Sequence, residues 1–316
     1  MSKPVLFASE RNLMYAENIR ALYDAYQGEK EFVQARGRRH PKIRTGDYGL
    51  LVIDEYPAEA PGKCIRIQHG IQGGKTIGFD QPTPFVSERN VKLITKFVVA
   101  GRGIVPAVAK SSHIPESSVV PLGFPNSDNY IGKRKGDGGT FLSAKRSYLF
   151  TPTFRLSCET RFPSIDWAWI DSHLSDDEVL AVKAHDAMKD IGIGKYRHIV
   201  EIPYTDNYSP YLYDCDVLIT DYSSLMFNGM LLKKPVILFE KNPGYTETRG
   251  MYLKYPDQYS SRYATNEHEL LLLMRDAYEQ TETEKECIRY VADMCDGHAC
   301  ERICKLIDEV NNDEWW

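Results

Sequence analysis

The hydrophobic positions of this chain form short runs rich in β-branched residues, which alternate with longer amphipathic stretches. This alternation is typical of βα units and predicts mostly parallel sheets covered by helices. In the first half the pattern predicts one helix over residues 12–26 and strands over residues 5–8, 31–35, 50–54, 65–68, 96–99 and 119–122. In the second half it predicts a final helix over residues 299–310 and strands over residues 148–151, 198–202, 216–220 and 235–239.

A polar, glycine-rich stretch over residues 132–139 separates the two halves of the pattern, and apolar positions resume at Tyr148. A length of 316 residues also fits about two domains better than one. We therefore predict an α/β fold with two Rossmann-like, doubly wound domains facing a central cleft. The expected division is 1–140 and 141–316, with the last helix able to pack back on the first domain.

The composition is that of an ordinary soluble globular protein, with 42% apolar and 26% charged residues. Its apolar runs fall far short of the ~20 residues of a membrane-spanning helix. The N-terminus lacks a secretory hydrophobic region, so we expect a cytoplasmic protein. A net charge of −5 gives no general attraction to nucleic acid, which is not expected as a partner. Basic clusters at 36–44 and 133–135 are solvated loops or contacts with an anionic acceptor or membrane surface.

Seven cysteines occur without C-x-x-C spacing, which predicts reduced thiols. Cys295, Cys300 and Cys304 lie near His298, so a metal cluster is one alternative. The favoured interpretation is that these thiols are small apolar residues on the buried face of the last helix. No carboxylate cluster indicates a metal, and none is expected. The terminal Trp315-Trp316 pair would touch a bilayer or a partner chain, pack on the protein, or fray.

Polar clusters that directly follow strands carry most of the functional signal, because parallel sheets bind ligands beyond the carboxyl ends of their strands. The first cluster begins with His69. A histidine at a strand end suits a general base, although a lone histidine can also be structural. The glycines after it allow close backbone approach to a phosphorylated ligand. The residues of this loop are Gly70, Gly73, Gly74 and Lys75.

Three further clusters follow strands in the second half. Thr153 and Arg155 could hold a phosphate through a hydroxyl and a guanidinium fork, or Arg155 could form a surface salt bridge. His185 could donate to developing phosphate charge, or lie on a helix surface. Ser223 and Ser224 follow a strand at a helix start, where backbone N–H groups favour a phosphate, although plain N-capping by Asp221 or Ser223 is the alternative. No G-x-G-x-x-G follows the first strand, and there is no Walker A sequence.

Six segments in order resemble the CDP-glycerol glycerophosphotransferase family, over roughly the whole chain from residue 60 onwards. They are HGIQGGKTIG (69–78), TPTFR (151–155), KAHD (183–186), DVLITDYSSLMFNGMLLKKPVILF (216–239), RGMYLKY (249–255) and CDGHACERICKLI (295–307). The departures from the family pattern are Ile71, Gln72, Asn126 and Asp186. Periodicity favours a helix over residues 179–185, whereas the resemblance implies a strand there.

The resemblance implies a GT-B arrangement, in which the N-terminal domain holds an acceptor and the C-terminal domain holds a CDP-linked donor. The implied reaction is attack by an acceptor hydroxyl on the distal phosphorus of a CDP-alcohol, which releases CMP and needs no cofactor. CDP-glycerol or CDP-ribitol is the implied donor, and a lipid-linked or polymeric hydroxyl of a teichoic-acid-like or capsular polymer is the acceptor. His69 is the candidate base. His185 and Arg155 are the other candidate catalytic residues, which would neutralise charge in the transition state. The candidate donor-binding residues are Thr153, Thr220, Asp221, Ser223, Ser224 and Arg249.

Two alternatives stay open. A GT-B glycosyltransferase that uses a nucleotide sugar would need the same fold and the same phosphate site. A non-catalytic member that binds nucleotide or polymer is the other, and the departures at Ile71, Gln72 and Asp186 are its support. A lipid-linked acceptor would bring the enzyme to the inner face of the cell membrane as a peripheral protein. The oligomeric state is left open.

Overall fold

The computed structural model describes residues 3–9, 11, 16–34, 45–57, 60–80, 87–153, 165–185, 193–203, 205–241 and 250–312. The chain forms two compact units, Met1–Ile131 with Arg289–Trp316, and Gly132–Ile288. Each unit contains a six-stranded sheet in its described part. Every strand pairing in both sheets is parallel, which confirms the two predicted Rossmann-like domains.

The first sheet has the strand order β2-β1-β3-β4-β5-β6. Its strands are β1 (Val5–Ser9), β2 (Lys30–Gln34), β3 (Leu50–Ile53), β4 (Cys64–Arg66), β5 (Lys96–Val99) and β6 (Val119–Pro121). The order reverses between β1 and β3, because β2 lies on one side of β1 and all later strands lie on the other. Such a reversal opens a crevice at the carboxyl ends of the two strands, where ligands of this fold class bind.

The second sheet has the strand order β12-β11-β10-β7-β8-β9. Its strands are β7 (Arg146–Thr151), β8 (Glu178–Lys183), β9 (Ile199–Ile202), β10 (Val217–Thr220), β11 (Val236–Phe239) and β12 (Tyr263–Ala264). The strand at β8 confirms what the family resemblance implied, and the helix favoured by periodicity is wrong there. The predicted strands begin and end within two residues of the observed ones, whereas the two-residue β12 was not predicted.

Nine α-helices occur in the described part of the chain. They are α1 (Glu17–Ala25), α2 (Glu88–Val91), α3 (Val105–Ser112), α4 (Trp167–His173), α5 (Ser209–Asp214), α6 (Leu225–Leu231), α7 (Glu267–Asp276), α8 (Glu282–Val291) and α9 (Ala299–Asn311). The predicted helix over residues 12–26 is observed from Glu17, and residues 12–15 lie outside the described part. None of the described helices has both the length and the apolar character that a membrane crossing requires.

Helix α9 belongs to the first unit, although the predicted division assigned residues 141–316 to the second domain. Its buried positions Ile303, Ile307 and Val310 pack with α1 against one face of the first sheet, where Phe7 and Val52 point. Asp128 accepts hydrogen bonds from the first two N–H groups of α9, at 3.0 and 2.8 Å, and so fixes the start of the helix. This helix therefore completes the core of the first unit. Packing of the last helix on the first domain was the alternative that the sequence left open.

The thiols of Cys300 and Cys304 pack against this same core. Burial raises the pKa of Cys304 to about 11, with a smaller contribution from Asp308. In the part of the chain that the structure describes, no group of three histidine, cysteine or acidic side chains is placed to hold a metal ion. These contacts support the interpretation of Cys300 and Cys304 as packing residues.

The glycine-rich loop over residues 136–140 is ordered around one carboxylate, that of Asp214 at the end of α5. The backbone N–H groups of Gly136, Gly138 and Thr140 donate to Asp214 at 2.8, 2.9 and 2.6 Å, and the Thr140 hydroxyl donates at 2.8 Å. Burial alone would raise the pKa of Asp214, but these four bonds outweigh burial and lower the pKa. The loop therefore folds as part of the second unit. Residues 132–140 belong to that unit and not to the first domain, where they were predicted.

We expect Asp214→Asn to lower the free energy of unfolding of the second unit by about 1–3 kcal/mol at pH 7, because charge-assisted hydrogen bonds to a buried carboxylate are lost. A carboxyl group with a lowered pKa stabilises the fold above its unfolded pKa of about 3.9. This contribution is lost as pH falls through the folded pKa, so the difference between wild type and variant should shrink below pH 4. Urea unfolding followed by the fluorescence of Trp167 and Trp169 in α4 measures it.

Asp177→Asn is the matched control, since this exposed carboxyl lies in the same unit and takes part in no described side-chain hydrogen bond. Equal unfolding midpoints for Asp214→Asn and the control at pH 7 would contradict the role of Asp214.

Candidate functional site

The crevice between β1 and β3 carries a buried pair of polar side chains at the carboxyl ends of the two strands. Ser9 ends β1, and its hydroxyl donates to Oδ2 of Asp54 at 2.8 Å. Asp54 directly follows β3 and is 3% exposed. Burial, together with the charge of Glu55, raises the pKa of Asp54 to about 6, although the Ser9 bond, His69 and Arg11 act in the opposite direction.

His69 lies beside this pair, three residues after the end of β4. Its Nδ1 atom is 3.1 Å from Oε1 of Glu55, and the two side chains are 48% and 37% exposed. Burial would raise the pKa of Glu55, but the bond to His69 and the charges of His69, Arg66 and Arg11 lower it. Glu55 therefore stays ionised next to the imidazole, as expected of a carboxylate that orients a basic histidine.

Buried side chains hold the backbone on both sides of His69. The Asn18 amide donates to the carbonyl of Gln68 at 3.0 Å, and its oxygen accepts from the N–H of Asn126 at 3.0 Å. Gln72 is 3% exposed and bonds both the Val98 carbonyl and the Ala100 N–H, each at 3.3 Å. Two departures from the family pattern, at Gln72 and Asn126, are thus hydrogen-bonded inside the fold.

The rest of the predicted acceptor-side loop lies with His69 at this edge of the first sheet. Gly73 has a backbone φ of +130°, a conformation that favours glycine. Gly73 and Gly74 are buried, whereas Gly70 and Lys75 are partly exposed. The departure at Ile71 is a buried apolar side chain, 2% exposed. Of these loop residues, Gly70 and Lys75 are therefore the ones that reach solvent.

Sequence reasoning missed Asp54, Glu55 and Arg66. Asp54 is the last residue of the strand predicted over residues 50–54 and Glu55 directly follows it, so the rule that singled out His69 could have found Glu55 too. Arg66 is 2% exposed within a buried strand, and its guanidinium lies between the rings of Tyr56 and Phe97, 3.7 and 4.3 Å from their centroids. No sequence pattern distinguishes such an arginine from an ordinary strand residue.

In the second sheet, β8, β7 and β10 are neighbours, so the predicted residues that follow them share one edge. The Thr220 hydroxyl donates to the Thr151 carbonyl at 2.7 Å and ties β10 to β7. The Asp221 carboxylate accepts the N–H groups of Thr153 at 2.8 Å and Tyr222 at 2.6 Å. Thr220 and Asp221 are 0% and 1% exposed, so these two predicted donor-site residues hold the loops in place from inside the fold.

Ser223 and Ser224 occupy the turn that leads into α6, where both are partly exposed. The Ser223 hydroxyl accepts from the Leu225 N–H at 3.3 Å, as an N-capping side chain would. Ser224 is the N-cap residue by position, but its side chain makes no cap hydrogen bond. Helix α6 has seven residues, so hydroxyl and N–H donors at this turn matter more than a long helix dipole.

Two more predicted residues complete this edge. The Thr153 side chain is 3% exposed, and its hydroxyl has no hydrogen-bond partner among the described residues. His185 follows β8 and is partly exposed, while Lys183, at the end of that strand, is buried. Arg155, Asp186 and Arg249 lie outside the described residues. The described edge therefore supplies hydroxyl, imidazole and backbone donors, which suit an anionic ligand.

A cluster of tyrosines supports this edge and was not predicted. The ring centroids of Tyr222 and Tyr255 are 4.8 Å apart, and Tyr255 also contacts Tyr259 and Tyr263 at 5.8 and 6.1 Å. The Tyr255 hydroxyl donates to the Asp221 carbonyl at 3.4 Å. The segment that resembles the family's R-G-F/Y-Y motif thus leads into a packing contact beneath the turn before α6.

Comparisons with known proteins agree with this geometry. The model of a family described as CDP-Glycerol:Poly(glycerophosphate) glycerophosphotransferase matches residues 53–309. The teichoic acid poly(ribitol-phosphate) polymerase of Bacillus spizizenii is 26% identical over 299 residues, which cover 83% of this chain and 46% of that protein. This chain thus spans about half the length of the curated relatives it matches.

Solved structures of the wall teichoic acid polymerase TagF share the fold. One is 18% identical with a TM-score of 0.76, and the match covers 99% of this chain and 90% of that one. Another, from a crystal soaked with CDPG, is 17% identical with a TM-score of 0.73 and coverages of 99% and 89%. At these identities the likeness concerns the fold, and it confirms the predicted GT-B-like class.

Proposed function

Because this chain belongs to the CDP-glycerol:poly(glycerophosphate) glycerophosphotransferase family, we propose that it transfers a polyol phosphate from a CDP-alcohol to an acceptor hydroxyl. The observation that carries the proposal is the extent of the family match, which spans residues 53–309. It includes His69, the Thr153 and His185 loops, and the turn at Ser223 and Ser224. All these residues follow strands, where ligands of doubly wound sheets bind.

The donor pyrophosphate is proposed to bind at the edge formed by β7, β8 and β10. Ser223 and Ser224 would donate hydroxyl hydrogens, and the Thr153 hydroxyl, which has no partner among the described residues, is a further donor. His185 and Arg155 would neutralise the charge that develops on the transferred phosphoryl group, with Arg249 as a further donor-site residue. Thr220 and Asp221 would act from inside the fold, by fixing the loops that carry these groups.

His69 is proposed as the general base. Its imidazole would accept the proton of the acceptor hydroxyl while the oxygen forms a bond to the distal phosphorus of the donor. The bond between that phosphorus and the oxygen of the CMP leaving group breaks in the same displacement, and the proton later passes to solvent. The products are a phosphodiester and CMP, no covalent enzyme intermediate forms, and the CDP-alcohol is a substrate rather than a cofactor.

The proposed donors are CDP-glycerol and CDP-ribitol, and the proposed acceptor is a lipid-linked or polymeric hydroxyl of a teichoic-acid-like or capsular polymer. Such an acceptor would bring the protein to the inner face of the cell membrane. The Gly70, Gly73, Gly74 and Lys75 loop is proposed to face the acceptor, because it directly follows the histidine that receives the acceptor proton.

A donor panel tests the function directly. We expect CMP release from CDP-glycerol or CDP-ribitol in the presence of a hydroxyl acceptor, with product formation followed by ³¹P nuclear magnetic resonance. No nucleoside diphosphate should be released from UDP-sugars. Turnover of UDP-sugars alone would favour the nucleotide-sugar alternative, and tight binding of CDP-alcohols without turnover would favour a non-catalytic binding protein.

The paired substitution Ser223→Ala and Ser224→Ala should weaken binding of CDP and of the CDP-alcohol. Each hydrogen bond lost to a charged phosphate costs about 1.5–3 kcal/mol when the site does not relax. Isothermal calorimetry measures the affinity, and the pair Ser143→Ala and Ser172→Ala, two exposed serines of the same unit, is the control. Unchanged CDP affinity in a folded Ser223/Ser224 variant would contradict the assignment of these serines to the binding site of the CDP-alcohol.

His69→Gln should keep the fold and the CDP affinity but lose turnover by about 10²- to 10⁴-fold, the contribution typical of a general base. The control is His298→Gln, an exposed histidine of the same unit with 68% of its side chain accessible. Steady-state CMP release and thermal unfolding measure the two properties. Near-normal turnover of a folded His69→Gln protein would exclude His69 as the base.

A further inference from the structure

We propose that Glu55 is the positioning residue of His69: its carboxylate holds the hydrogen of the imidazole on Nδ1 and leaves Nε2 free to take the acceptor proton. This inference rests on the proposed function of His69. It adds a residue that neither the sequence motifs nor the family match identify by role.

The fold brings the two side chains together by pairing their strands. Strands β3 and β4 are parallel neighbours in which Ile53 lies opposite Arg66. Glu55 stands two residues beyond the end of β3, and His69 stands three residues beyond the end of β4. The backbone before His69 is held by the bond from Asn18 to Gln68, so the ring approaches Glu55 from a fixed position.

The ring has two nitrogens, and only one of them is used by the described residues. Nδ1 lies 3.1 Å from Oε1 of Glu55, within hydrogen-bond distance, whereas no described residue pairs with Nε2. A neutral imidazole carries a hydrogen on one of its two nitrogens. An ionised carboxylate can only accept a hydrogen bond. The pair is therefore satisfied when the hydrogen is on Nδ1, and Nε2 then presents its lone pair.

This arrangement also favours the proton transfer itself. When Nε2 takes the hydroxyl proton, the ring becomes an imidazolium, and the adjacent Glu55 carboxylate stabilises the new positive charge. The step balances, because the proton that leaves the acceptor oxygen is the one that binds to Nε2. Glu55 stays ionised throughout. A glutamine at position 55 could still accept the Nδ1 hydrogen but would not supply the charge.

The surrounding charges assign this role to Glu55 rather than to Asp54. Arg66, from β4, and Arg11, after β1, both act to keep the Glu55 carboxyl ionised. Asp54 is directed to Ser9 through Oδ2, and burial together with Glu55 raises the pKa of Asp54 to about 6. The charged groups that act on the Glu55 carboxyl therefore include Arg11 and Arg66 besides His69.

Glu55→Gln and Glu55→Ala test the proposal, with Glu116→Gln as a charge-matched control at an exposed position of the same unit. We expect kcat to fall at least about tenfold in Glu55→Gln and further in Glu55→Ala, but not beyond the 10²- to 10⁴-fold loss of a missing base. The KM for the CDP-alcohol should stay unchanged.

A second measurement does not depend on turnover. Long-range ¹H–¹⁵N spectra of the full-length protein report the tautomer of each imidazole, and His69→Gln identifies the His69 signals. We expect the Nδ1–H tautomer in wild type and in the Glu116→Gln control, and a mixture of tautomers in Glu55→Ala. An Nε2–H tautomer in wild type, or a tautomer that is unchanged in both Glu55 variants, would overturn the positioning role.

The two proposals fail in different ways. If wild type releases no CMP from any CDP-alcohol, the proposed function is wrong, while the tautomer spectra still decide whether Glu55 sets the state of His69. If turnover is normal in wild type and lost in His69→Gln but unchanged in both Glu55 variants, His69 is supported as the general base. Glu55 is then excluded as its positioning residue.

Discussion

The burial of the central strands on both faces is the constraint on which the rest of the structure depends. All positions of β1, β3, β10 and β11 are buried, so these strands leave little room for chemistry along their length. Polar side chains collect instead at the strand ends, and parallel pairing gathers those ends at one edge of each sheet. His69, Glu55 and Asp54 share one edge, and Thr153, His185 and Ser223 share the other.

The same constraint explains how much of the fold could be predicted. Continuous apolar runs bounded by turn residues predicted most strands within two residues, because burial on both faces requires an apolar residue at nearly every position of a strand. The two-residue β12 carries too little sequence for such a pattern. Strand β8 has the apolar spacing of a helix, Val179, Leu180 and Val182 included, and only its pairing with β7 and β9 decides its conformation.

The candidate sites were predictable in part, for a related reason. A strand-end rule finds residues by their place in the sequence, and so it found His69, Ser223 and His185. It does not reveal which strand ends are neighbours, so the pairing of Glu55 with His69 could not be predicted. It also does not separate side chains that face a ligand from those that tie loops together, as Thr220 and Asp221 do. The hydrogen bonds that order the 136–140 loop could not be predicted either. Their four donors lie more than seventy residues before Asp214, which accepts them, in the sequence.

The departures from the family pattern bear on whether this chain can be active. A non-catalytic member would be expected to carry replacements that leave the site unsupported, with buried polar groups lacking partners. Gln72 and Asn126 do the opposite. The Gln72 side chain bonds the chain at the end of β5, and the Asn126 side chain donates to Glu17 and Tyr130 and accepts from Asn129. Both replaced side chains therefore have hydrogen-bond partners within the first unit, and Gln72 also ties the loop that follows His69 to β5.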